Sequence, residues 1–159
     1  MRELPHTLKI ATVWLVAGTL LFLAVQAFDR QQQATRFHAA GDVIEIRRAR
    51  DGHYHWPGTI DGVAVDFLAD TGATRTAIPA RLARQLGLQP LGQVRSLTAG
   101  GPVTGDVVIV DVVLDGGVQA QRLRVVALDG LADRPLLGMD VLGRLQWRQS
   151  DGVLTIELR

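Results

Sequence analysis

From residue 42 onward apolar and polar positions alternate with a period of two. Val43-Ile44-Glu45-Ile46, Val63-Ala64-Val65-Asp66-Phe67, the run from Val107 to Leu114, and Leu123-Arg124-Val125-Val126 are β-branched and partly alternating, the pattern of strands with one buried face. Asp-Gly recurs at Asp51-Gly52, Asp61-Gly62, Asp115-Gly116, Asp129-Gly130 and Asp151-Gly152, each between apolar runs. That dipeptide supplies the positive φ angles of tight hairpin turns, so a mainly antiparallel β domain is expected over residues 42–159. Two stretches break the period and predict short helices: Pro79 to Leu86, opened by Pro and closed by Gly87, and Met139 to Leu145. Neither has the length of a βαβ crossover, which disfavours a parallel α/β sheet. Leu68-Ala69-Asp70-Thr71-Gly72 and Leu136-Leu137-Gly138 stand as the centres of two similar half-domains.

The N-terminal pattern is different. Residues 10–28 carry no charge and are mostly Ala, Val, Leu and Trp, whereas charge returns at ordinary density from Asp29. A transmembrane helix needs roughly 17 to 25 such residues and a signal peptide core roughly 7 to 15. Gln26 shortens the apolar run and Val25-Gln26-Ala27 fits a small-residue cleavage site, so an uncleaved anchor and a signal removed after Ala27 both stay open. The length of the run, with Trp14 and Phe28 near the two interfaces, favours the anchor. Arg2 and Lys9 precede it, which places residues 1–9 in the cytoplasm and the β domain on the periplasmic, extracytoplasmic side of the inner (cell) membrane, single-pass. Residues 29–41, with Gln31-Gln32-Gln33 among them, read as a polar linker.

Composition narrows the function. The chain has 159 residues, 47% hydrophobic and 21% charged, enough for one compact domain with a short appendage and too little for a multidomain enzyme. Lys and Arg number 17 against 16 Asp and Glu, and no basic run exceeds the pair Arg47-Arg48; a nucleic-acid partner would need a basic footprint that is absent. Zero Cys excludes a disulfide framework, a thiolate zinc site and a cysteine nucleophile together. An extracytoplasmic location remains compatible, since export requires no disulfide.

The segment that carries chemistry is Phe67-Leu68-Ala69-Asp70-Thr71-Gly72-Ala73-Thr74, an apolar strand running into an acid, a hydroxyl and a glycine. Burial beside apolar side chains disfavours a charged carboxylate unless backbone N–H groups solvate it, and a glycine without Cβ lets them approach. This segment, the helix ending Leu86-Gly87-Leu88, and the later Leu136-Leu137-Gly138-Met139-Asp140-Val141-Leu142 together resemble retropepsin-like aspartic proteases of clan AA type, and more narrowly the bacterial single-pass membrane group. The resemblance covers about Trp56 to Leu158. It implies a closed β domain with one or two short helices, Asp70 as the catalytic acid, and Thr71, Gly72 and Ala73 as the active-site loop, with Thr71 hydrogen-bonded across a dimer. It also implies a glycine-rich flap, for which Leu97-Thr98-Ala99-Gly100-Gly101-Pro102 is the candidate. Retroviral members commonly carry an acid after Asp-Thr-Gly-Ala and an Arg after the later Gly, where this chain has Thr74 and Met139, so that ion pair is missing.

Aspartic proteolysis uses two carboxylates that share one proton, the ionised one activating water and the protonated one polarising the peptide carbonyl. The sequence holds one Asp-Thr-Gly, and Asp140 lacks that setting; the second carboxylate is therefore expected from a symmetric copy, in a C2 homodimer with its site on the two-fold axis. The partners expected are a peptide or protein substrate, a second copy and the membrane through residues 10–28, with no cofactor and no metal.

Other features have plainer readings. His53 and His55 bracket an apparent strand and would share a face, yet no third ligand is identifiable, so an exposed strand pair is favoured over a metal site. Gly100-Gly101 lacks the Lys-Ser/Thr and helix of a phosphate cradle. Arg81 and Arg84 fit a solvated helix face, and Trp56, Phe67 and Trp147 fit the core. Three function classes remain: a membrane-anchored aspartic endopeptidase, favoured; a catalytically silent peptide-binding or scaffolding module on the same fold; and an aspartyl-phosphate enzyme, set last because it needs Mg²⁺ and a parallel sheet.

Overall fold

The computed structural model describes residues 6–32, 36–39, 41, 43–98 and 101–158. It divides into two units, residues 1–34 and 35–159. The first is helix α1 (His6–Gln32). Its described side chains, at residue 10 and residues 12–26, are all exposed. Among the described residues no helix is long and apolar enough to cross a membrane, so the transmembrane helix expected over residues 10–28 is not a feature that the structure shows. The uninterrupted run ends at Gln26, and α1 continues through the charged and polar Asp29-Arg30-Gln31-Gln32. Helix propagation over residues of good or moderate propensity explains why the stretch read as a linker begins helical.

The second unit contains β1 (Arg36–Ala39), β2 (Val43–Arg47), β3 (His55–Ile60), β4 (Val63–Ala69), β5 (Ala77–Pro79), helix α2 (Ala80–Gln85), β6 (Gly92–Thr98), β7 (Gly101–Leu114), β8 (Val118–Leu128), β9 (Leu136–Leu137), helix α3 (Met139–Leu142), β10 (Gln146–Ser150) and β11 (Val153–Glu157). One sheet runs in the order β1-β8-β5-β9-β4-β3-β7-β6, and an additional β7–β8 pairing closes it on itself. A separate three-stranded sheet runs β10-β11-β2. The domain is thus mainly β, as the alternation predicts, and closed, as the resemblance implies, with two helices shorter than expected.

The alternation does its work in β7, where Val108, Val110, Val112 and Leu114 point inward at about 1% exposure or less while Asp111 and Val113 face out. These side chains join Trp56, Phe67, Ile78, Val125, Leu137 and Ile156 in the main core, and the Trp56 indole N–H donates to the Asp115 carbonyl at 2.8 Å. Asp61-Gly62 and Asp151-Gly152 turn β3 into β4 and β10 into β11 with both residues at positive φ, the geometry of two-residue hairpins. Asp129-Gly130 behaves otherwise, leading from β8 towards β9 rather than closing a hairpin. Two short parallel pairings interrupt the antiparallel pattern: β4 with β9 through Leu68↔Leu136 and Ala69↔Leu137, and β5 with β8.

Candidate active site

Asp70 stands one residue past the end of β4, whose neighbours are β3 on one side and β9 on the other. Both flanks reach its backbone. The Ala69 N–H donates to the Tyr54 carbonyl at 2.9 Å, and the Leu68 and Asp70 N–H groups donate to the Pro135 and Leu137 carbonyls at 2.9 and 3.0 Å. The strand is therefore held in register up to the aspartate itself. Beyond it the chain turns sharply: the Gly72 N–H donates to Asp70 Oδ1 at 2.8 Å, and the Ala73 N–H to the Asp70 carbonyl at 3.2 Å. A Cβ at Gly72 would lie 3.2 Å from that same Oδ1, a tight approach. Asp70 and Ala73 are half-buried, and Thr71 is exposed.

The loop is pinned from behind by residues that the sequence reading did not assign. Thr76 is fully buried. Its N–H donates to both Asp140 oxygens at 2.9 and 3.0 Å, its hydroxyl donates to Asp140 Oδ1 at 2.8 Å, and that hydroxyl accepts the Gly138 N–H at 3.2 Å. The Met139 N–H adds a bond to the Ala73 carbonyl at 2.8 Å. Gly138 is packed so closely on the Arg75–Thr76 backbone that a Cβ would come within 2.7 Å of the Arg75 oxygen and the Thr76 nitrogen. Asp140, one position beyond the Met139 that stands where retroviral members carry Arg, thus ties α3 to the segment after the Asp70 loop. The available signal was a Thr opening the apolar run Thr76-Ala77-Ile78: a polar residue there needs a buried partner.

Asp70 and Thr71 open onto a cleft of about 210 Å³ that is also lined by His53, Tyr54, Trp147 and Gln149. Trp147 is half-buried, packed against the core and also lining the cleft, whereas Trp56 and Phe67 are core residues at 1% and 0% exposure. β6 and β7 form the hairpin expected as the flap, paired as far as Thr98↔Gly101; Ala99 and Gly100 lie outside the described residues, and Leu97 near the tip is 87% exposed. His53 and His55 do not share a strand face: β3 begins at His55, while His53 sits in the turn before it. Among the described residues no group of three metal-ligating side chains is placed to hold an ion. Arg81 and Arg84 lie on the exposed side of α2 and pair with Asp133 and Asp129.

Several known proteins are similar to this chain. An uncharacterised protein of Rickettsia prowazekii (strain Madrid E) is 34% identical over 119 residues, spanning 73% of this chain and 51% of its own length. An uncharacterised protein from the cobV 5′ region of a Sinorhizobium species is 30% identical over 120 residues, spanning 73% and 50%. The chain thus spans about half the length of these curated relatives. The crystal structure of a retropepsin-like aspartic protease from Rickettsia conorii shares the fold with a TM-score of 0.57 at 24% identity, over 79% of this chain and 94% of that one. Residues 56–144, from the start of the core β3 strand past α3 and more than half of the chain, match the family described as gag-polyprotein putative aspartyl protease, and the chain belongs to that family of retropepsin-like aspartic proteases.

Proposed function

We propose that this chain is a membrane-anchored aspartic endopeptidase, in which the Asp70 carboxylates of two copies activate a water for peptide hydrolysis. The observation that carries this reading is the position of Asp70: a half-buried carboxylate at the end of a strand held on both flanks, solvated by the Gly72 N–H, and open to a cleft. In the reaction the ionised carboxylate takes a proton from water as the oxygen attacks the peptide carbonyl, and the protonated partner donates a hydrogen bond to the carbonyl oxygen. The leaving amine then departs with a proton as the C–N bond breaks. Two acids so close cannot both be charged, which is why they share a proton.

One Asp-Thr-Gly per chain makes a single copy half a site. Trp147 and Gln149 of β10 line the cleft with Asp70, and β10 is an edge strand of its sheet. A two-fold axis near Asp70 passes close to that edge, so pairing of β10 with its counterpart suits the dimer. Anchoring rests on the sequence: the uncharged residues 10–28, with Arg2 and Lys9 before them. The experiment is cleavage of an unfolded protein by the detergent-solubilised full-length chain, with Asp70→Asn beside it and both checked for folding by circular dichroism. Cleavage that disappears in the variant, and whose specific rate rises with enzyme concentration, is the expected result. A folded, dimeric wild type that cuts nothing would make the binding module the better reading. Retention in membranes after alkaline carbonate washing tests the anchor.

A further inference from the structure

His55 lies outside the machinery described so far, and its ring is contacted by two carboxylates and a guanidinium. The side chain is 17% exposed. Its Nδ1 lies 3.0 Å from Asp66 Oδ2 and its Nε2 2.8 Å from Asp51 Oδ2. Two carboxylates on two ring nitrogens are satisfied together only by imidazolium, since a neutral ring has one N–H to give. Yet Arg134 Nη1 stands 3.2 Å from Nδ1 and 3.4 Å from Nε2, and a guanidinium, which only donates, is served by a neutral ring; with Nε2 held to Asp51 at 2.8 Å, the acceptor left to it is Nδ1. Nδ1 therefore has two competing partners, one for each protonation state.

One of those partners lies on the Asp70 strand and the other comes from its β9 flank. Asp66 belongs to β4 itself and, through His55, ties it to β3; Arg134 precedes Pro135, which receives the Leu68 N–H on the other flank. Among the described residues, further charged groups stand around the ring and its turn. His53, in the turn, has Nδ1 3.7 Å from Asp51 Oδ1; Arg48, at the base of the turn, donates to the Gly52 carbonyl at 3.0 Å; Arg134 also stands 3.7 and 3.8 Å from Asp51 and Asp66. The His53 backbone N–H first, and then the His55 ring, hold the Asp51 carboxyl below its ordinary value, so the Nε2 partner stays charged throughout the range in which histidines titrate.

We propose that His55 is a proton-dependent positioning residue: as imidazolium it bridges Asp51 to Asp66 and braces β3 against the Asp70 strand, and on losing the Nδ1 proton it exchanges Asp66 for Arg134 and releases that brace. The turn carrying Asp51 also carries Gly52, His53 and Tyr54 to the Asp70 cleft, so the exchange reaches the cleft wall. That consequence for turnover rests on the reading of the cleft as the active site; the exchange of partners does not.

The test is amide hydrogen exchange by NMR on the full-length chain in detergent, corrected for the intrinsic pH dependence of exchange. The Ala69 amide reports the β3 flank, and the Leu68 and Asp70 amides the β9 flank. Between pH 5 and 8, Ala69 protection is expected to fall roughly two- to fivefold, the effect of one half-exposed ion pair, with Leu68 and Asp70 unchanged. His55→Gln should abolish that dependence, and Asp66→Asn, which keeps the ring, should abolish it as well. A flat Ala69 profile in the wild type, or the wild-type profile in either folded variant, overturns the proposal. Where cleavage is measurable the same pH step should enter KM more than kcat and vanish in His55→Gln; absence of all cleavage would sink the protease reading and leave the exchange result standing.

Discussion

Replacing Thr76 by Val isolates the link between α3 and the segment that follows the Asp70 loop. The two side chains are nearly isosteric, so the fully buried site is neither emptied nor overfilled. What changes is hydrogen bonding. The hydroxyl's bond to the Asp140 carboxylate at 2.8 Å is charge-assisted and contributes about 1.5–3 kcal/mol. The Gly138 N–H, which donates to that hydroxyl at 3.2 Å, is left unsatisfied at a cost of about 1–3 kcal/mol. The Thr76 N–H still reaches both carboxylate oxygens, and the methyl gains about 1 kcal/mol of apolar burial. The balance is a loss of roughly 2–5 kcal/mol, or roughly 6–25 °C in Tm for a domain of this size. Thermal unfolding of the full-length chain, followed by near-ultraviolet circular dichroism, measures it, with Thr76→Ser as the control that keeps the hydroxyl. A Val variant within about 1 kcal/mol of wild type, or a Ser variant as unstable as the Val one, would refute the argument that this hydroxyl joins Asp140 and Gly138.

Further outcomes follow from the same contacts. Gly138→Ala drives a Cβ into the Arg75–Thr76 backbone and should cost about 3 kcal/mol or more. Gly92→Ala, with open space around it, should stay within about 0.5 kcal/mol by urea unfolding. Asp61 sits at φ 48° and accepts the Asp111 N–H at 2.8 Å; Asp61→Ala should lose about 1–2 kcal/mol, and Asp61→Asn, which tolerates that φ and keeps an acceptor, far less. The Asp51 carboxyl is held below its ordinary 3.8, first by the His53 N–H and then by His55. Its contribution is therefore present above 3.8 and lost as pH falls through the lower folded value. The stability gap between wild type and Asp51→Asn, from urea midpoints, should close as pH falls through the acid range, and a gap that does not change with pH would contradict this.

Strands were legible because their apolar faces are long and regular: the runs at 43–46, 63–67, 107–114 and 123–126 all lie in strands. Helix ends were less so, since α3 closes at Leu142 rather than Leu145, the Arg144 and Leu145 N–H groups reaching back three residues to Val141 and Leu142 instead of four. The parallel pairing of β4 with β9 was also invisible, because two residues per strand carry no period of their own. At the site, the Asp-Thr-Gly segment was readable from its contrast with the strand before it. Its supports were not, since Thr76 and Asp140 lie 64 positions apart and each alone reads as an ordinary polar residue. His55 is similar, for only the fold brings Asp51, Asp66 and Arg134 around it.

By itself the sequence determined what depends on short-range chemistry. That covers a β domain from two-residue alternation, hairpins from Asp-Gly, a candidate acid from Asp70-Thr71-Gly72, and the exclusion of cysteine chemistry from a composition with zero Cys. The tertiary structure alone decided which distant groups share a hydrogen bond. It set Asp140 beneath the Asp70 loop, Trp147 both against the core and along the cleft, and His55 among Asp51, Asp66 and Arg134. The physical reason is that periodicity fixes which face of an element a side chain occupies, whereas sheet closure and register, set by the packing of the whole core, fix what that face meets.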